Sequence, residues 1–213
     1  MSRSIRVSAL ALVLAAASLL QACVPLAATA VVGTALVVTD RRTTATVAVD
    51  QEIDFRGTRA VNDAIGGRGH INVNAYNRVA LLTGEVPSEG DRKLAEDALL
   101  KITNVKSVVN ELAVMGNASL GSRSSDSLIT GKVKASFVDA KDVSANAFRV
   151  TTERGIVHLQ GLVTEREANL AADVAARVSG VQKVVKVFEY ISEDELRRIS
   201  GGSGAGTAGT PAK

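Results

Sequence analysis

In the C-terminal half of the chain, Leu128, Ile129, Val133, Phe137 and Val138 recur at three- and four-residue steps. That spacing predicts an amphipathic helix, and Asp126 is placed to cap it. The period then shortens to two. Phe148 to Thr152 reads as a strand, Arg154-Gly155 as a tight turn, and Val157, Leu159, Gly161 and Val163 alternate onto one face of a second strand. Thr164-Glu-Arg-Glu167 has the capping-box form, in which the hydroxyl and the carboxylate each satisfy an unpaired N–H, so a second helix starts there. Its inner face is alanine (Ala168, Ala171, Ala172, Ala175), Gly180 suits a left-handed stop, and Val181 to Ile191 closes the unit as a strand.

The same order occurs upstream. Phe55, Ala60, Ala64 and Ile65 suggest a helix, two strands lie between Ile71 and Val86, and Ser88-Glu-Gly-Asp91 opens a helix facing inward through Leu94, Ala95, Ala98 and Leu99. Asn104 marks its stop, and Val105 to Val114 is the last strand. Residues 71–86 align with 148–163 at a constant offset of 77, with Val73/Val150, Leu82/Leu159, Gly84/Gly161 and Val86/Val163 coinciding. This is a duplicated small domain of α+β class, each copy α-β-β-α-β with a three-stranded sheet and two helices on one face. The expected units are residues 50–116 and 126–192, joined by a linker over 117–125. Domains of about 60 residues are marginal alone, so the copies are expected to pack together, with Val79, Leu81 and Ile156 as candidate contacts.

Both ends differ from this pattern. Residues 1–22 carry Arg3 and Arg6, then an uncharged apolar run from Val7 to Leu20, and read as a secretory leader. Leu20-Gln21-Ala22-Cys23 resembles a bacterial lipobox, which makes Cys23, the sole cysteine, the expected lipidation site. Three acyl chains on such a residue make attachment effectively permanent. In proteins with this motif an aspartate after the cysteine marks inner-membrane retention; Val24 stands here, which points to the outer membrane. The lipidated N-terminal segment spans 23–49, and its uncharged part, 24–38, is short for a membrane span and ends at Asp40-Arg41-Arg42. A C-terminal tail covers 193–213 and is expected to be disordered from about 201, where GGSGAGTAGTPAK offers nothing to bury.

Composition removes several chemistries. One cysteine and two histidines leave no basis for a disulfide framework or a metal centre. The formal charge of +3 falls to +1 once Arg3 and Arg6 leave with the leader, too little for a nucleic-acid binder. His158 points away from the helices in a strand, as a surface or interface residue would. His70 follows Gly66-Gly-Arg-Gly69, a run matching no phosphate-loop fingerprint, and the Glu165, Glu167, Asp173 cluster is interspersed with arginines. No enzyme and no cofactor are implied. Gly84 and Gly161, each near a strand end, are structural candidates for close backbone approach.

The lipobox, the two α-β-β-α-β units, the glycine in each second strand and the runs Val163-Thr-Glu-Arg-Glu-Ala168 and Arg177-Val-Ser-Gly-Val181 resemble the dual BON-domain lipoproteins. The resemblance implies a lipid-anchored outer-membrane protein on the periplasmic face that binds anionic phospholipid and supports envelope integrity. It places the lipid-facing surface on the first helix of the second domain, here Leu128, Ile129, Lys132, Val133, Lys134, Phe137 and Val138. Ammonium groups beside apolar side chains suit that task, at about 1 kcal/mol per basic residue near an anionic surface. Val133 and Phe137 also fit the buried stripe of that helix, which leaves Leu128, Ile129 and Val138 as the surplus. The family has a tryptophan at the position of Leu128, a stronger interfacial anchor, so lipid contact is expected to weaken or shift toward Phe137. The alternative is a protein-interaction adaptor for an envelope assembly or quality-control machine, using a sheet edge or outer strand face.

Overall fold

The computed structural model describes residues 40–202. The leader, Cys23, segment 24–38 and the tail beyond 202 lie outside the described residues. The first repeat runs α1 (Thr44–Ile65), β1 (His70–Tyr76), β2 (Val79–Val86), α2 (Glu89–Leu100) and β3 (Ser107–Val114). The second runs α3 (Leu120–Asp139), β4 (Phe148–Glu153), β5 (Ile156–Val163), α4 (Glu165–Ala176) and β6 (Lys183–Tyr190), followed by α5 (Glu193–Gly202). In each sheet the second strand is central, antiparallel to the first and parallel to the third.

Several boundaries differ from the sequence reading. Helix α3 begins at Leu120 with Ser119 as its cap, so much of the expected linker 117–125 is helical. Asp126 is no cap but lies inside the helix, buried. Its carboxylate accepts the N–H groups of Arg154 and Gly155, both at 2.8 Å, and so fixes the β4–β5 turn. Asp50 does the same for Asn77 and Arg78 at 2.8 and 2.7 Å. Both turns have two successive residues at positive φ, the geometry that matches strand twist. An aspartate thus satisfies the turn donors that the hairpin itself leaves open.

Helix α1 starts at Thr44, earlier than expected, and its buried stripe is Asp50, Ile53, Gly57, Val61 and Ile65. Phe55, one of the apolar positions that suggested this helix, is 71% exposed, because the stripe follows the turn-binding aspartate rather than the aromatic. Leu94 also faces outward, whereas Ala95 and Leu99 are buried. The alanine face of α4 is buried as expected, and its capping box is complete. Residues 201 and 202, assigned to a disordered tail, close α5.

The two glycines mark where the first two strands of each sheet meet most tightly. A Cβ on Gly84 would lie 2.0 Å from the His70 carbonyl oxygen, and its φ of 113° is one that side chains rarely adopt. On Gly161 the corresponding atom would lie 2.7 Å from the Ala147 carbonyl oxygen, in ordinary backbone conformation.

Each sheet packs its helices on one face through its own core. The opposite faces meet within one compact unit. Leu81 is fully buried yet belongs to neither helix-side core, and Thr83, Glu85, His158 and Gln160 are buried on the same outward faces. Gln160 donates to the carbonyls of Asn74 and Val79. Arg149 reaches the Ala75 carbonyl, Asn74 and Asp54, Asn72 donates to Glu153, and the Tyr76 hydroxyl donates to the Ala147 carbonyl. Val79 and Ile156 are half-buried. The helix pairs therefore lie on the two outer sides of a double sheet.

A strap completes the junction. Arg41 grips Glu167 with two hydrogen bonds of 2.9 and 2.6 Å and also donates to the Leu162 carbonyl. Arg42 pairs with Asp40 and Asp50 and lies 4.0 Å above the Tyr76 ring. The residues just before α1 thus hold the second-helix start of one domain and the first-helix aspartate of the other.

Candidate functional site

On α3 the residues nearest the sheet are Asp126, Ile129, Val133 and Phe137. Phe137 is 1% exposed and packs against Phe148, with ring centroids 5.3 Å apart; Phe148 in turn meets Phe188. Ile129, Val133 and Phe137 therefore leave the set of lipid-facing candidates, and the expected shift of contact toward Phe137 is overturned. Reaching a headgroup with any of them would require opening the core. Val133 and Phe137 occupy the buried stripe; Ile129, taken as surplus, joins it because it follows Asp126 by three residues.

What remains outside is a coherent strip. Leu128 is 67% and Val138 73% exposed, and Gly131 and Ala135 lie between them at helical spacing. Leu120 continues the strip one face-repeat earlier, also exposed. Lys132 and Lys134 flank it, both exposed and neither in an ion pair among the described residues. The surface is thus apolar along its middle and cationic on both sides. Sequence periodicity singled out Leu128 and Val138, and the family resemblance added Lys132 and Lys134, but neither pointed to Gly131 and Ala135, which carry no strong hydropathy signal.

The equivalent helix of the other repeat is different. Aligning the two turn-binding aspartates places Glu52, Phe55, Arg56 and Arg59 of α1 where α3 has Leu128, Gly131, Lys132 and Ala135. Glu52 and Arg56 pair with each other at 2.7 Å.

The histidines sit at the domain junction. His158 is buried, its Nε2 3.9 Å from Glu111, and burial holds its pKa below the ordinary imidazole value although Glu111 acts the other way. His70 Nδ1 lies 3.8 Å from the fully buried Glu85 and lines a cavity of about 310 Å³ with Asn72, Arg123, Asp126, Thr130 and Glu153. Burial raises Glu153, partly offset by the Asn72 hydrogen bond. Glu165 and Asp173 are exposed on α4, whereas Glu167 is buried. Burial alone would raise Glu167, but the Arg41 hydrogen bonds, the Thr164 N–H and the Arg41 charge leave it below the usual carboxylate range. Among the described residues, no group of carboxylates, histidines and cysteines could hold a metal, and no helix is long and apolar enough to cross a membrane.

Sequence reasoning expected the two units to pack through outward strand residues, naming Val79, Leu81 and Ile156, but missed that the junction is largely polar. Its signal was there: Arg149, Glu153, His158 and Gln160 are polar residues at outward strand positions, too many for a face expected to be apolar or freely solvated.

A duplicated α-β-β-α-β domain with helices on one face and a polar seam on the other defines the class, and the BON domain family matches residues 50–116 and 125–192. The chain belongs to that family. It is 41% identical over 189 residues to the outer membrane lipoprotein DolP of Haemophilus influenzae, covering 85% of this chain and 95% of that one, which makes it a dual BON-domain protein of the DolP type. It is also 36% identical over 121 residues to a protein named 21 kDa hemolysin of Actinobacillus pleuropneumoniae, covering 57% of this chain and 62% of that one. Among solved structures, CdsD of the Chlamydia trachomatis type III secretion system matches 65% of this chain and 94% of its own at 12% identity, with a TM-score of 0.29.

Proposed function

We propose that this protein is a non-catalytic outer-membrane lipoprotein, anchored through Cys23 on the periplasmic face, whose second BON domain binds anionic phospholipid and so supports envelope integrity. The observation that carries the reading is the outward strip of α3. Leu128 and Val138 stand exposed on either side of Gly131 and Ala135, with Lys132 and Lys134 alongside and without ion-pair partners among the described residues. Such a strip can sink its apolar middle to the headgroup boundary while its ammonium groups meet phosphates. The likeness to an outer membrane lipoprotein supports the location, and the lipobox-like Leu20 to Cys23 supports the anchor.

Tethering makes weak affinity sufficient, because the second contact becomes intramolecular. The test uses the chain from residue 23 onward carrying Cys23→Ser, so that no acyl chain contributes. It should co-sediment with vesicles containing phosphatidylglycerol, release at high salt, and lose binding on Lys132→Glu with Lys134→Glu. Sedimentation unchanged by that pair, together with capture of one defined protein partner that depends on strand residues, would favour the adaptor reading instead.

A further inference from the structure

Beside the strip, α3 and α4 do not close on each other fully. They leave a groove of about 540 Å³, with Lys132, Ser136 and Asp139 contributed by α3, and Arg177 and Ser179 by the end of α4 and the turn after it. Its apolar lining is Ala135, which is exposed, and the half-buried Val174 and Val178. Among the described residues neither Lys132 nor Arg177 has an ion-pair partner, and Asp139, which shares the groove, lies beyond ion-pair distance of both. Two cations and one carboxylate give the lining a charge of +1.

We propose that this groove is a discrete site for one phosphodiester, the linkage of a monoanionic lipid headgroup, with Arg177 and Lys132 on the phosphate and the Ser136 and Ser179 hydroxyls as donors to its oxygens. The proposal rests on the lipid reading of α3 and adds a second wall to it. A guanidinium presents a planar fork of donors that matches phosphate oxygens, whereas an ammonium acts as a point charge, so the two cations are not equivalent. Asp139 and the carbonyl ends of both α3 and α4, each end worth roughly half a negative charge, disfavour a second anionic charge in the groove. A phosphate monoester, which carries more than one, fits the lining less well than a diester. The site therefore predicts a headgroup preference opposite to that of a diffuse cationic surface, which would bind the more highly charged lipid tighter.

The experiment uses the chain from residue 23 with Cys23→Ser, and vesicles of phosphatidylcholine mixed with equal fractions of either phosphatidylglycerol, a diester, or phosphatidic acid, a monoester. Phosphatidylglycerol should bind more tightly, and Arg177→Gln should weaken it about five-fold or more and abolish the preference. Arg166→Gln removes the same charge from an exposed position of α4 outside the groove and should change binding less. Dimethyl phosphate, a soluble diester, should shift the amides of Ser136 and Ser179. Tighter binding of phosphatidic acid, or equal losses from the two arginine variants, overturns the groove and leaves the lipid reading of α3 standing. Amide shifts with dimethyl phosphate in a protein that ignores both vesicles keep the groove as a site for free phosphodiesters and remove the membrane. Silence toward every probe overturns both.

Discussion

The two repeats share a scaffold but divide space differently. In the first domain α1 carries Gly57 in its buried stripe, and a Cβ there would lie 2.6 Å from Leu99 Cδ1 on α2. At the equivalent places the second domain has Val133 on α3 and Ala175 on α4, both buried. Bulk has moved from the second helix to the first. Three of the four phenylalanines, Phe137, Phe148 and Phe188, fill the resulting core of the second domain, while the fourth, Phe55, stands exposed on the first. The outer faces have diverged too: α1 shows an ion-paired, charged surface and α3 an apolar strip flanked by exposed lysines. Core volume can be redistributed between two helices provided the sum is kept, so the outward face is free to specialise.

The largest expected effect tests the shared scaffold. Gly84→Val should cost about 3 kcal/mol or more, since the side chain meets a carbonyl oxygen and the φ is strained, whereas Gly161→Ala should cost about 1–3 kcal/mol. Thermal melts of the two variants would give the order, and equal losses would contradict the asymmetry. Next come the turn-binding aspartates. Asp126→Ala leaves two backbone donors without partners, about 2–4 kcal/mol by denaturant titration, and Asp50→Ala should exceed it because Arg42 also loses an acceptor.

Volume exchange can be read directly. Gly57→Val alone should destabilise by about 1–3 kcal/mol, and combining it with Leu99→Ala should recover part of that loss, a non-additivity that a double-mutant cycle measures. The strap yields a pH signature. Glu167 has a folded-state pKa below its unfolded value, so its contribution is present above the unfolded carboxylate value of about 4.3 and is lost as pH falls through the folded value. Arg41→Met should lower stability at neutral pH and flatten that acid limb. The smallest structural effect belongs to the outward strip. Leu128→Ser should change the melting temperature little, since the residue is two-thirds exposed, yet weaken vesicle binding about ten-fold; Phe55→Ser should leave vesicle binding unchanged.

Much of this architecture was legible in the sequence, and the reason is period. Alternation at Val157, Leu159 and Val163 and the capping box at Thr164 are local signals, and the structure places them on β5 and at the start of α4. Helix starts were less legible. Ser119 and Thr43 cap α3 and α1 within stretches rich in small polar residues, where many positions look alike. Asp126 was noticed for the wrong reason, because a carboxylate near a helix start can bind either its own helix or a distant turn, and only tertiary structure decides between them. The strip on α3 was half legible. Periodicity identified the helix and placed Val133 and Phe137 in its buried stripe but did not resolve the edge of that stripe, so Ile129 was grouped with Leu128 although it turns about 100° away, into the core.

The strap has a practical consequence for anyone preparing this protein. A recombinant fragment cut to the family boundary at residue 50 would discard Arg41 and Arg42, stripping Glu167 and Asp50 of the guanidinium groups that neutralise them. Such a product would carry two shielded carboxylates without counter-ions, and its fragility would reflect the trimming rather than the domain.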